Sequence, residues 1–170
     1  GNPYFIDLDM LAEEGLLSRH DIEIVDWGEL EYDVDYRKMY DNRYKLLKKA
    51  FFQWKDPDGE LKIFVEENRD WLYDYSLFMA CKDYFGGVEW LAWEEDIKRK
   101  KLDTVTYYTD LLKEKIAFWN FVQYLFYQQW FELKKYANEN GIQIIGDIPI
   151  YVAMDSADVW SEPEQYQLDE

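Results

Sequence analysis

The stretch Ile144-Ile145-Gly146-Asp147-Ile148-Pro149-Ile150-Tyr151-Val152 decides how the rest of the chain is read. A short apolar run of β-formers carries one carboxylate, Asp147, then leaves through Pro149 into the acidic, aromatic stretch from Ala153 to Trp160. In α/β proteins, sites are built at the carboxyl end of a strand and in the loop that follows. A carboxylate in such a place is costly to bury without partners. Asp147 is therefore the leading candidate, its alternative role being a structural acceptor for a neighbouring strand or arginine. Asp155 and Asp158 either bind ligand or cap the next turn, and capping is the stronger reading. Tyr151, Trp160 and Tyr166 divide evenly between site and core.

Upstream of this strand the pattern is helical. Tyr36, Met39, Tyr40, Tyr44, Leu47, Phe51 and Trp54 recur at helical spacing over residues 35–54. Further helices are predicted over 9–17, ending near Gly15, and over 60–68. Another runs over 70–85, with Asp70 as N-cap and Gly86-Gly87 as stop. Ser18 and Asp21 have capping-box spacing, and Asp56-Pro57-Asp58-Gly59 reads as a turn. The strongest signal is 103–140, with an interruption expected near 106–109 where β-branched Thr104, Val105, Thr106 and Thr109 crowd the helix. Between Ile116 and Phe131 apolar side chains go nearly all the way round, so that helix must be covered on more than one side. Residues 3–8 read as a short strand, with Pro3 at its allowed first position. Two strands separated by so many helices make no stable sheet by themselves. They are sensible as parallel neighbours in a larger barrel that carries a helical insertion.

Composition removes several functions. The 170 residues carry 36 acids and 19 bases, a formal charge of −17, and no basic residue follows Lys135. Such a surface repels a phosphate backbone and anionic lipid, which excludes nucleic acid and a charged membrane as partners. No apolar run approaches the roughly 18 residues of a spanning helix. Cys81 is the only cysteine and His20 the only histidine. An intrachain disulfide is thereby impossible and a reducing, cytoplasmic setting favoured. Zinc and Ser-His-Asp schemes lose their ligands, so no metal and no cofactor is expected. The chain opens on Gly1-Asn2-Pro3 without a signal peptide or an initiator Met, as if cut from something longer.

Four blocks carry a family resemblance. They are Gly1 to Leu8, Trp71 to Ala80, Phe118 to Phe126 with Gln129-Trp130, and Ile144 through Glu170. Together, in this order, they resemble the 4-alpha-glucanotransferases (amylomaltase, disproportionating enzyme; glycoside hydrolase family 77). The resemblance implies a mainly α chain with two or few short β-strands, part of a (β/α)8 TIM barrel bearing a helical insertion subdomain. It places an early barrel strand at 1–10, the insertion at 11–112, a barrel helix and strand at 113–152, and an active-site loop at 153–170. It puts Asp147 near the sugar at the cleavage point, with Tyr151, Asp155, Asp158 and Trp160 binding substrate or supporting the site. The family's chemistry is retaining, through a covalent glucosyl intermediate. Its catalytic carboxylates fall on later strands, so none is assigned here and the isolated chain is expected to be inactive. The partner implied is an α-1,4-glucan or maltooligosaccharide. Two other readings stand beside this one. One is a carbohydrate-binding domain using Tyr151 and Trp160. The other is a helical domain that self-associates through exposed apolar surface.

Overall fold

A computed structural model describes residues 1–28, 33–56, 58–147 and 150–168. Its described residues form nine α-helices and three 3-10 turns, with no strand among them. The helices are α1 (Leu8–Glu13), α2 (Arg19–Glu23), α3 (Tyr36–Gln53), α4 (Glu60–Glu67), α5 (Arg69–Tyr84), α6 (Glu95–Lys98), α7 (Leu102–Leu111), α8 (Lys113–Glu139) and α9 (Ala157–Ser161).

The organising element is α8. Phe118, Trp119, Phe121, Val122, Gln123, Tyr124 and Leu125 are all buried on it, in a run too long for one face. Helices α3, α4, α5 and α7 and the N-terminal turn all pack against it, which satisfies the expectation of cover on several sides. Its main partner is α5, which contributes Leu72, Ser76, Leu77 and Phe78 to the interior. Buried Ser76 donates its hydroxyl to Asn120 Oδ1 at 2.5 Å, so one polar pair crosses that interface satisfied. Trp119 sends its indole N–H to Asp83 at 3.1 Å.

Local signals placed most helix ends. Ser18 and Asp21 form the reciprocal capping box. Asp56 accepts from Leu61 N–H at 3.1 Å, and Gly59 at φ 71° starts α4; Pro57 of that turn lies outside the described residues. Two boundaries differ from expectation. Asn68, rather than Asp70, precedes α5. The break expected at 106–109 falls instead at Leu112, between α7 and α8. Thr106 donates its hydroxyl to the Leu102 carbonyl at 2.9 Å, so the β-branched run is accommodated inside the helix.

Both expected strands are absent from the described residues. Residues 3–8 form a 3-10 turn, Pro3–Phe5, and the first residue of α1. Side chains take the backbone bonds that a neighbouring strand would have taken. Gln123 accepts from the Gly1 ammonium and donates to Gly1 C=O at 3.0 Å. Gln129 accepts from Asp7 N–H and donates to Asp7 C=O, at 2.7 and 3.0 Å. Arg43 donates to the Ile6 carbonyl at 2.5 Å, and Asn2 Oδ1 accepts from Tyr4 N–H. Over 142–152 the described residues, 142–147 and 150–152, show no strand; Ile148 and Pro149 lie outside them. A strand needs an adjacent strand for its ladder, and the described chain offers none.

Candidate active-site segment

Helix α8 ends at Glu139 and is closed off by Gly141, whose φ of 75° needs glycine, with the Ile142 N–H returning to Ala137 C=O at 2.9 Å. The chain then runs on the outside of the molecule. Ile145 is 92% exposed, Ile150 88% and Tyr151 90%, and Asp147 is exposed as well. Apolar side chains this bare in one segment mark a surface awaiting cover.

The segment is caught again at Met154. Buried Trp90 donates its indole N–H to the Met154 carbonyl at 2.8 Å. Its backbone N–H donates to Asp155 Oδ1 at 3.2 Å. Lys82, at the end of α5, reaches Asp155 Oδ2 at 2.5 Å and also donates to the carbonyls of Gly87 and Val88. Asp155 is thus held by the helical layer. Capping falls to neither of the two expected aspartates, because Ser156 Oγ accepts the Val159 N–H and serves as N-cap of α9.

Trp160 is where the structure departs furthest from a loop residue. It is 1% exposed, and its N–H donates to the Ile97 carbonyl at 3.2 Å. Phe78 and Trp93 pack on it, and the Lys100 ammonium lies 5.2 Å from its ring centroid. That ammonium also pairs with Asp74 at 2.9 Å. Here Trp160 fixes α9 to the helices and presents no face to a ligand.

Asp158, exposed on the first turn of α9, lines a cavity of about 410 Å³. Trp71, Tyr75, Tyr127 and Tyr166 supply aromatic lining, with Asp70 and Asp74 among the carboxylates. Tyr75 accepts from Gln123 Nε2 at 3.0 Å. Burial pushes its phenol up to about 12, against the opposing pull of that hydrogen bond, so it stays a protonated donor at neutral pH. Aromatic faces with flanking carboxylates suit a sugar's C–H faces and hydroxyls. The structure brings Asp158 and Tyr166 to this cavity and leaves Asp147 and Tyr151 on the bare segment. Among the described residues no three His, Cys, Asp or Glu side chains group to hold a metal.

Several of these residues escaped sequence reasoning. Gln123 was detectable, as a polar residue within an apolar stripe. Lys82, Trp90 and Lys100 gave no local signal of their contacts with the 154–161 stretch, which lie 61–73 residues away.

Comparison with known proteins gives a consistent answer. A family model described as 4-alpha-glucanotransferase matches residues 1–170. The 4-alpha-glucanotransferase of Clostridium butyricum is 46% identical over 169 residues, covering 99% of this chain and 35% of the relative. That of Aquifex aeolicus is 39% identical over 169 residues, covering 99% and 34%. Among solved structures, the amylomaltase from Streptococcus agalactiae in complex with acarbose superposes with a TM-score of 0.91 at 40% identity. It aligns with 99% of this chain and 35% of its own. The chain therefore spans little more than a third of these relatives' length.

Proposed function

The chain belongs to the 4-alpha-glucanotransferase family of glycoside hydrolase family 77, and from that premise we propose that it is one part of an enzyme moving α-1,4-glucan segments between maltooligosaccharides. In this reading residues 142–152 become a strand of a (β/α)8 barrel in the full-length protein, while 1–10 keep their 3-10 turn and the start of α1. Residues 11–112 are its helical insertion, 113–140 a barrel helix, and 153–170 a loop on the active-site side. The enzyme works in the cytoplasm and requires no cofactor. Asp147 lies beside the sugar at the cleavage point, with Tyr151 and Asp158 completing contacts to the glucan.

The chemistry is a double displacement. A carboxylate attacks C1, the bond from C1 to the leaving O4 breaks, and a second carboxyl gives that oxygen its proton. An acceptor glucan's hydroxyl returns a proton to the same carboxyl as it attacks C1, releasing the nucleophile without consuming water. Both carboxyls belong to segments of the enzyme other than these residues.

One observation supports the reading above the others: this chain leaves uncovered the surface that a barrel would bury. Phe5, Met10, Phe126, Trp130 and Leu133 line an open apolar groove of about 620 Å³. The Ile-rich segment around Asp147 is bare as well. The test is glucose released by disproportionation of maltotriose. The full-length protein is expected to release glucose and longer maltooligosaccharides, and the 170-residue chain none above a heat-killed control. Turnover by the chain alone, or none by the full-length protein, contradicts the proposal.

A further inference from the structure

The loop that follows Asp147 is tied at its Met154–Asp155 end by residues of the helical layer. Lys82 has three ammonium protons and three acceptors: Asp155 Oδ2 at 2.5 Å, Gly87 C=O at 3.1 Å and Val88 C=O at 3.0 Å. Its side chain is 17% exposed and that of Asp155 36%, so water competes little at the ammonium. The second Asp155 oxygen is taken by the Trp90 N–H. The Trp90 indole, 5% exposed, takes the preceding carbonyl at Met154. Two consecutive residues, one through its side chain and one through its backbone, are thus pinned to the α5 end and the 87–90 turn. Immediately before the pin, Ile150, Tyr151 and Val152 lie in the open. Immediately after it, Trp160 is buried and Lys100 donates to the Ser161 carbonyl, so α9 cannot drift.

We propose that Lys82 and Trp90 latch Met154–Asp155 and thereby set the position of the 150–153 loop at the active site, making Lys82, Trp90 and Asp155 positioning residues for glucan transfer. This rests on the reading of Asp147 and Tyr151 as glucan contacts. None of the three touches substrate. Their part is to keep the loop that carries Tyr151 at a fixed distance from a rigid support, and rate falls steeply when reacting groups are held loosely.

The test uses Asp155→Asn, Lys82→Met, their double variant and Trp90→Phe, with Lys101→Met as control; Lys101 pairs with Asp96 on the open surface. In the full-length protein, kcat for maltotriose disproportionation is expected to fall about 10-fold in each latch variant. KM stays within two-fold, and the double variant is no slower than the slower single. The control keeps wild-type kinetics. In the same full-length variants, amide hydrogen exchange over 150–154 is expected to accelerate in Asp155→Asn and Trp90→Phe, with exchange in α5 and α8 unchanged. Unchanged exchange over 150–154 overturns the latch whatever the kinetics. Faster exchange with wild-type kcat overturns its catalytic role, as do single effects that multiply in the double variant. Absence of any transferase activity in the full-length protein sinks the function proposed above, and the exchange arm still decides whether the latch exists.

Discussion

At the scale of single residues, Trp160 and Gln123 show how a side chain's role is set by partners far along the chain. Trp160 follows an acidic loop and is followed by Ser161-Glu162-Pro163, so its neighbours in sequence suggest a surface residue. Its neighbours in space are Phe78, Trp93 and the Ile97 carbonyl, and these make it core. Trp160→Ala should cost about 3–5 kcal/mol in urea unfolding, as large core truncations do. A loss under about 1 kcal/mol would mean that the indole packs loosely and is open to a ligand instead. Gln123 was legible as an oddity, being polar in an apolar stripe. Its purpose was not, because the groups it serves, Gly1 and Tyr75, are 122 and 48 residues distant.

At the scale of elements, helices were readable and strands were not, for a physical reason. A helix closes its hydrogen bonds within four residues, so caps such as Ser18 and Gly141 and an apolar stripe suffice to place it. A strand's bonds go to another segment. Residues 3–8 and 142–147 have strand-like composition, yet their fate depends on what lies alongside. At the first of them, the amides of Gln123 and Gln129 pair with the backbone as a neighbouring strand would. Gln129→Ala removes both bonds to Asp7 and should destabilise the chain by about 1–2 kcal/mol, with faster amide exchange confined to residues 5–10. Uniform loss of protection across α8 instead would show Gln129 to be a packing residue of the helix. The break at Leu112 also escaped sequence reasoning, since Thr106 met its hydrogen-bonding need inside α7.

At the scale of the whole molecule, the helices bury a continuous core from Ile6 and Leu11 through Leu47, Leu77 and Phe121 to Trp160. A second apolar surface stays open, in the groove between Phe5 and Leu133 and at Ile142, Ile144, Ile145, Ile150, Tyr151 and Val152. Four sequence blocks were enough to identify the family, because they are specific side-chain patterns spread over the whole chain. The architecture of its relatives was not legible in the same way, since the chain spans little more than a third of their length. Among the described residues no helix is long and apolar enough to cross a membrane. In the function proposed above the exposed apolar groups are covered by the remainder of a glucanotransferase barrel, with Gln143 to Asp147 becoming one of its paired strands. The direct measurement is amide hydrogen exchange at Gln143–Asp147, in the 170-residue chain and in the full-length protein. Near-random-coil exchange is expected in the chain, and slowing by on the order of a thousand-fold in the full-length protein, as for a core strand. Equal exchange in both would contradict the proposal.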